Sequence, residues 1–221
     1  MNNYQKALQL CVSKDDWRKD LLNPFLVEDK IMSSNGHILY IVPYALIGQP
    51  YELFPRPNAI LENIPKPLEN PILTVTRAFM NKIMTDCPQI DDYDEQGKDV
   101  DCDACDGYGN VDYEFEYKLK TYTENLDCPV CDGSGLQEKV EKKPNGKKIP
   151  NPETIIEIHN SQFFLYNIDI LLKICELMES DAVLISQESD MKPSLFQIGE
   201  TQLLVMPIYK DSEKHPFCSI K

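Results

Sequence analysis

Four of the eight cysteines stand in two near-identical motifs whose spacing is that of metal ligands. Each motif reads Cys-x-x-Cys-x-Gly-x-Gly, at residues 102–109 and 128–135, and 22 residues separate the two cysteine pairs. Two residues between cysteines let one turn bring both thiolates to the same ion, and the glycines can adopt the positive φ that lets amides approach the sulfurs. Four thiolates favour zinc and leave no open coordination position, so we predict one structural Zn²⁺. The predicted ligands are Cys102, Cys105, Cys128 and Cys131, and the predicted turn glycines are Gly107, Gly109, Gly133 and Gly135.

The same cysteine pairs have a second interpretation, as the redox-active dithiols of a thiol oxidoreductase. The duplication of all four cysteine and all four glycine positions favours the metal site instead. Cys11 and Cys175 lie on the apolar faces of predicted helices and are interpreted as core residues. Because no histidine lies in a nucleophile, phosphate-loop or metalloprotease motif, we predict a non-enzymatic protein without catalytic residues.

The segment between the two motifs has the pattern of a β-strand. Apolar and acidic residues alternate from Val111 to Tyr117, and Lys118 to Thr123 continue in the same style. We therefore predict a β-ribbon with one acidic face in water. The ribbon has no closed core of its own, so we expect it to depend on the metal for folding.

The two cysteine motifs resemble the cysteine-rich repeats of DnaJ-type chaperones over residues 102–135. Those chaperones carry four repeats that form two zinc sites, so two repeats imply one site here. The chain has no His-Pro-Asp signature of a J-domain. The resemblance therefore implies a zinc ribbon and does not extend to chaperone activity.

The negative charge is concentrated in the middle of the chain. The net charge is −14, and residues 91–137 hold 14 acidic against 3 basic side chains, whereas residues 138–148 hold 5 basic against 2 acidic. The acidic segment would repel a phosphate backbone, and we interpret Lys142 to Lys148 as a solvated basic turn. With no apolar run of membrane-spanning length and no secretory pattern at the start, we expect a soluble, cytoplasmic protein.

The rest of the chain predicts helices and strands on both sides of this segment. Tyr4, Ala7, Leu8 and Cys11 have the spacing of a helix with one buried face. Asn35-Gly36 predicts a two-residue hairpin turn between apolar runs at 25–32 and 38–42. Further predicted elements are a helix through Val75, Phe79 and Ile83, a strand at 155–158, a helix over 163–178, and strands at 182–186, 195–198 and 202–206.

This order predicts an α+β fold with one interrupted core. Residues 1–90 and 149–221 form the two parts of the core. Residues 91–148 form the insertion, which contains the acidic zinc ribbon and the basic loop.

Two motifs in the predicted core resemble a domain of the bacterial DNA sliding clamps. They are Ser34-Asn35-Gly36-His37-Ile38-Leu39 and Leu203-Leu204-Val205-Met206-Pro207-Ile208, and the resemblance covers residues 4–42 and 153–210. It implies a clamp-like domain of antiparallel strands with two or three helices. It also implies a processivity or partner-recruiting factor in DNA replication.

In sliding clamps these two motifs contribute to an apolar groove that captures short peptides of polymerases and other partners. The resemblance therefore implies a partner-binding site for protein partners, formed here by Ser34, Gly36, His37, Leu39, Met206 and Pro207. A second hypothesis makes the zinc ribbon the main surface of a protein-protein adaptor and the core its scaffold.

Contact with DNA and self-assembly are further implications of the clamp resemblance. Bacterial clamps join three such domains, whereas this chain holds one, so a ring around DNA would require a homo-oligomer. The basic side chains that could line such a ring are Lys6, Lys14, Arg18, Lys19, Arg77 and Lys82.

Overall fold

The chain divides into two units, of which the computed structural model describes residues 1–14, 16–55, 60–208 and 216–218. The core unit comprises Met1–Gln89 and Pro150–Lys221, and the inserted unit is Ile90–Ile149. Within the described ranges, no helix has the length and apolar character needed to cross a membrane.

The core unit combines helices with short strands. Its helices are α1 (Asn3–Leu10), α2 (Arg77–Asp86) and α3 (Leu165–Leu177). Its strands are β1 (Phe25–Val27), β2 (Lys30–Ser34), β3 (Ile38–Pro43), β4 (Leu73–Val75), β9 (Ile155–Ile158), β10 (Ser161–Phe164), β11 (Ala182–Gln187), β12 (Ser194–Ile198), β13 (Thr201–Val205) and β14 (Phe217–Cys218). The strands of the insertion are β5 (Gln89–Asp101), β6 (Asn110–Tyr117), β7 (Lys120–Asp127) and β8 (Leu136–Pro150).

Seven strands of the core unit form an antiparallel sheet in the order β1-β2-β3-β13-β12-β11-β4. At its centre β3 pairs with β13, from Ile41 opposite Gln202 to Ile38 opposite Val205. A smaller sheet has the order β10-β9-β14, in which β14 runs parallel to β9. The large sheet therefore joins strands from the two ends of the chain.

The central strand β3 is apolar along its length because both faces of the sheet are covered. Ile38, Tyr40 and Val42 belong to a buried cluster that also contains the inner faces of α1, α2 and α3. Leu39 and Ile41 point the other way, into a second buried cluster. A continuous apolar run is the pattern expected of a strand buried on both faces.

The starts of α1 and α2 are fixed by side-chain caps. The Asn2 side chain accepts a hydrogen bond from the Gln5 amide at 2.9 Å, and the Gln5 side chain accepts one from the Asn2 amide at 2.8 Å. The Thr76 hydroxyl oxygen accepts from the Phe79 amide at 3.1 Å. Such caps satisfy amides that have no partner within the helix and typically stabilise it by about 1 kcal/mol.

The predicted α+β class is confirmed, and most predicted elements of the core lie within two residues of their observed bounds. The first helix, the strand at 155–158 and the three C-terminal strands all form. The predicted two-residue turn at Asn35-Gly36 is wrong, because Ser34 pairs with Leu39 and four residues lie between them. Of these four, Gly36 alone has a positive φ, of 89°. The Asn35 side chain instead accepts hydrogen bonds from the amides of His37 and Ile38, which holds a wider turn.

Three predicted boundaries are also wrong, each for a local reason. Val75 ends β4, and α2 begins two residues later because Thr76 caps it. Phe163 is fully buried and pairs with Ile156, so it belongs to β10 and α3 starts only at Leu165. The run at 25–32 is divided into β1 and β2 by a tight turn in which Glu28 has a φ of 55°.

In the inserted unit, β6 and β7 form a two-stranded ribbon, but the strand pattern expected to continue through Lys118 and Leu119 is broken there by a turn. The register runs from Asn110 opposite Asp127 to Tyr117 opposite Lys120. The two turn residues between the strands have positive φ, 49° at Lys118 and 62° at Leu119. This is the geometry of a type I′ turn, which is usually occupied by asparagine and glycine, so the turn carries strain.

The interpretation of Lys142 to Lys148 as a solvated turn is wrong, because these residues lie in β8, which pairs with β5. Two of their ammonium groups lie beside carboxylates of β5. Lys142 lies 3.5 Å from a carboxylate oxygen of Glu95, and Lys148 lies 3.7 Å from one of Asp91. Each exposed pair contributes little by itself, but the opposite charges of the two strands make this pairing favourable.

We predict that Leu119→Gly stabilises the β6–β7 hairpin by about 0.5–1 kcal/mol, because glycine adopts positive φ without the steric cost of a leucine. Hydrogen exchange of the β6 and β7 amides in the metal-loaded protein measures this as a slower exchange. Thr121→Gly, in the extended strand next to the turn, is the control and should accelerate exchange. Equal effects of the two substitutions would contradict the role given to the turn.

Candidate metal centre and apolar groove

The four cysteines of the two motifs converge between the ends of the insertion's strands. Their sulfur atoms all lie within 4.8 Å of one another, and the four side chains are buried. The Sγ atoms of Cys102 and Cys128 are 3.9 Å apart, and those of Cys105 and Cys131 are 3.7 Å apart. A tetrahedral metal with 2.3 Å bonds to sulfur requires about 3.8 Å between sulfurs. The cluster therefore fits a four-thiolate metal ion.

The two motifs adopt matching turns that bind each other through backbone hydrogen bonds. The Cys102 amide donates to the Gly135 carbonyl at 2.8 Å, and the Cys128 amide donates to the Gly109 carbonyl at 2.8 Å. Within each turn an amide also reaches a sulfur: that of Gly109 lies 3.2 Å from Cys105 Sγ, and that of Gly135 lies 3.3 Å from Cys131 Sγ. This symmetry arises from the repeated motif and places the four sulfurs around one point.

Glycine is required in these turns for two reasons. Gly109 and Gly135 have φ values of 80° and 75°, which disfavour any other residue. In addition, a Cβ on Gly109 would overlap the Gly133 carbonyl oxygen, and one on Gly135 would overlap the Gly107 carbonyl oxygen. The four predicted turn glycines therefore all lie at the contact between the two turns.

The sulfurs hold their protons unequally. Desolvation raises the pKa of the Cys102 thiol to about 12. Desolvation also acts on Cys131, but the hydrogen bond from the Gly135 amide and those with the neighbouring sulfurs outweigh it and lower the pKa of that thiol to about 7. Binding of a metal ion must remove the remaining protons, so it is coupled to proton release.

An apolar cavity of about 310 Å³ lies in the core unit where β3 begins and β13 ends. The two strands remain paired there, and the Met206 amide donates a hydrogen bond to the His37 carbonyl at 2.8 Å. The Ser34 hydroxyl donates to the Ile38 carbonyl at 2.7 Å and thereby holds the turn. The cavity is lined by Leu21, Ser34, Gly36, His37, Ile38, Leu39, Phe54, Ile60, Asn63, Leu204 and Met206.

The structure places five of the six residues of the implied partner site at this cavity, and Pro207 is not among its lining residues. Of the six other lining residues, Ile38 and Leu204 belong to the two motifs, whereas no sequence pattern indicated Leu21, Phe54, Ile60 and Asn63. Phe54 reaches the cavity because the chain before it runs beside β1. The Leu26 amide donates to the Glu52 carbonyl at 2.7 Å, and the Phe54 ring centroid lies 4.5 Å from that of Phe25.

A second, more polar cavity of about 590 Å³ adjoins the first, and the two share Asn63, Leu204 and Met206. Its other lining residues include both acidic and basic side chains. They are Glu62, Ile64, Pro65, Lys66, Glu188, Met191, Lys192 and Pro193. Together the two cavities, which we call the groove, offer an apolar end and a polar end on either side of Met206.

Two of the basic residues considered for DNA contact, Lys6 and Arg77, lie beside acidic ones. Lys6 on α1 lines a surface depression with Lys173, Glu176 and Glu179. Arg77 on α2 lies 3.6 Å from a carboxylate oxygen of Asp181. The side chain of Arg18 lies outside the described residues. At these two positions the helical surface carries both signs of charge, which favours a phosphate backbone less than a uniformly basic face would.

We predict that Gly109→Ala and Gly135→Ala each weaken metal binding by at least about tenfold, because the added methyl group must separate the two turns. Competition with a chromophoric chelator measures the affinity. Gly146→Ala is the matched control, since Gly146 has a φ of 77° but has no atom within 4 Å of its added Cβ. A loss as large in the control would show that positive φ, and not the contact between turns, sets the affinity.

No protein-family model matches the chain, and no curated protein matches it in sequence. Among solved structures, a Caulobacter crescentus beta sliding clamp is 12% identical with a TM-score of 0.44, and the alignment covers 95% of this chain and 64% of that one. A Helicobacter pylori beta clamp bound to a DNA ligase peptide is 12% identical with a TM-score of 0.43, and the alignment covers 94% of this chain and 62% of that one. Proliferating cellular nuclear antigen of Entamoeba histolytica is 12% identical with a TM-score of 0.36, and covers 94% of both chains.

The chain thus spans a little under two thirds of the length of the bacterial clamps that it matches. At 12% identity and with TM-scores below 0.5, these similarities carry no argument about function. Function has to be argued from the site.

Proposed function

We propose that this chain is a clamp-like, non-enzymatic binding protein of DNA metabolism that recruits partner proteins by capturing short apolar peptide segments in the groove. One observation carries the proposal. The two motifs that resemble sliding clamps stand at residues 34–39 and 203–208, far apart in sequence, and residues of both line one apolar cavity. If the similarity of the two short motifs to sliding clamps arose by chance, there would be no reason for both motifs to line the same cavity.

The apolar end of the groove suits one or two large apolar side chains. Leu39 and Leu204 form its floor as members of a buried cluster, so it is held by the sheet itself. Met206 is 38% exposed at the boundary between the two cavities and can adapt to different side chains. Each apolar side chain fully enclosed there contributes about 1.5–3 kcal/mol, which is enough for a weak but usable peptide site.

The polar end would receive the residues that flank the apolar anchors. Glu62 and Glu188 stand there with Lys66 and Lys192, so a peptide with charges of either sign finds partners. An extended segment that crosses Met206 would place apolar residues on one side and charged residues on the other. This arrangement corresponds to an interface with an apolar centre and a polar rim.

For the inserted unit we propose a structural Zn²⁺ held by Cys102, Cys105, Cys128 and Cys131. A soft, four-sulfur site with sulfurs spaced for a tetrahedron supports zinc over harder cations. Four protein ligands leave no position for a substrate or water, so the ion would stabilise the turns and take no part in chemistry. The β6–β7 hairpin depends on this support, because a two-stranded hairpin alone is marginally stable in water.

Native mass spectrometry tests the metal assignment. We expect one zinc ion per chain in the purified protein and none in Cys105→Ser, because three thiolates leave the tetrahedron incomplete. Cys87→Ala, which alters a buried cysteine outside the cluster, is the control and should keep the ion. Metal-free protein whose four cluster thiols react with a thiol reagent would contradict the assignment and favour the thiol oxidoreductase.

Peptide binding tests the groove. The probes are fluorescein-labelled eight-residue peptides that contain one leucine and one phenylalanine at different separations, and a peptide with serine at both positions. We expect fluorescence polarisation to detect the apolar peptides only, and we expect Met206→Glu to weaken binding by at least about tenfold, because a carboxylate would be desolvated in the groove. Leu68→Glu, at an exposed leucine outside the groove, should leave binding unchanged.

A deletion separates the groove from the zinc-ribbon adaptor. The Asn151 amide donates to the Pro88 carbonyl at 2.8 Å, so a short glycine-serine link can replace residues 90–149. The proposal expects the shortened chain to bind the apolar peptides as the full chain does. Loss of peptide binding in a shortened chain that remains folded, as judged by its thermal unfolding, would favour the adaptor.

A further inference from the structure

The β6–β7 hairpin carries an exposed aromatic face. Tyr113, Phe115 and Tyr117 alternate along β6, and Tyr122 lies opposite Phe115 on β7. The four rings are between 47% and 65% exposed. The Phe115 ring lies 6.5 Å from those of Tyr117 and Tyr122, which shows that the rings form one surface. Exposed apolar patches of this kind mark interaction sites.

The strands contribute one charge of each sign to the aromatic face, placed symmetrically. At the turn, the Lys118 ammonium also lies 5.2 Å from the Tyr117 ring centroid. Glu124 lies opposite Tyr113, and Lys120 lies opposite Tyr117. Each is two residues from Tyr122, on opposite sides of it, so both point to the same face as the rings. Neither forms an ion pair with any described residue, so both charges are available to a partner.

This arrangement is complementary to itself. Two copies of the face can stack about a two-fold axis that lies in the plane between them and runs across the strands. The central Phe115–Tyr122 pair of one chain then packs against the same pair of the other chain. Because the axis reverses the strand direction, Glu124 of one chain comes opposite the partner's Lys120, and Tyr113 comes opposite the partner's Tyr117. Every such contact then occurs twice, as in an isologous interface.

We propose that the aromatic face of the β6–β7 hairpin binds the same face of a second copy of the chain, with the two hairpins antiparallel. The rings supply apolar area, and two symmetric Glu124–Lys120 pairs fix the direction and register. A basic peptide from another protein is the less suitable occupant. The hairpin's excess negative charge, from Asp112, Glu114 and Glu116, lies on the opposite face and would attract such a peptide there.

Sedimentation velocity of the metal-loaded full chain tests the proposal. The expected result is a monomer–dimer equilibrium over micromolar concentrations. Glu124→Lys places lysines opposite each other at both ends of the interface and should raise the dimer dissociation constant by at least about tenfold. Glu114→Lys makes the same change in charge on the opposite face and should leave the dissociation constant unchanged. The metal content of each variant reports whether the inserted unit is folded.

A second substitution keeps the test decisive if Glu124→Lys proves unstable. Lys120→Glu should also prevent dimerisation, and an equimolar mixture of the two variants should form a mixed dimer, because each acidic pair then faces a basic pair. The double variant Glu124→Lys with Lys120→Glu should dimerise with itself. A monomer at all concentrations, an equal loss in Glu114→Lys, or a mixture that stays monomeric would overturn the proposal.

Discussion

The pairing of β3 with β13 is the interaction on which the core unit depends. It joins β1, β2 and β3, from the start of the chain, to β13, β12, β11 and β4. Side chains of these two strands contribute to both buried clusters, so loss of the pairing would expose apolar surface on both faces of the sheet. The buried Tyr40 hydroxyl donates to the Thr201 hydroxyl at 3.0 Å across this junction, which satisfies a polar group that would otherwise be costly.

The groove is a direct consequence of this pairing. At the end of the paired region, β3 follows a wide turn and β13 continues into Met206. Residues of the two strands, which are far apart in the sequence, therefore line one cavity side by side. A partner that binds there contacts both halves of the sheet at once. Such a partner would stabilise the junction by binding only the paired state.

The inserted unit is organised by a different constraint. Its strands are exposed on both faces, so burial of apolar side chains cannot be its main source of stability. The four sulfurs, the amides that approach them and the paired glycines supply a small, strongly constrained centre. The long β5–β8 ladder adds opposite charges on facing strands. This division explains why the two units have such different compositions.

Prediction from sequence succeeded where a local pattern has one physical solution. The repeated Cys-x-x-Cys-x-Gly-x-Gly identified the sulfur cluster, since only cysteines and glycines in that order close such turns. Prediction failed where the local structure depends on contacts with residues that are distant in the sequence. The strand β8 was missed because Lys142 to Lys148 have the polar composition of a loop. Their pairing with the acidic strand β5 is visible only in the structure. The turn at Leu119 was missed because it contains no glycine or asparagine, and Phe54 was missed because its contact depends on the neighbouring chain at Leu26.

We expect partner peptides to bind at the junction of β3 and β13. Amide chemical-shift mapping of the isotope-labelled, metal-loaded full chain during titration with a leucine-phenylalanine peptide tests it most directly. We expect the shifts to concentrate at the amides of residues 34–39 and 203–206. Shifts confined to residues 110–127 of the hairpin, or no shifts at saturating peptide, would contradict it.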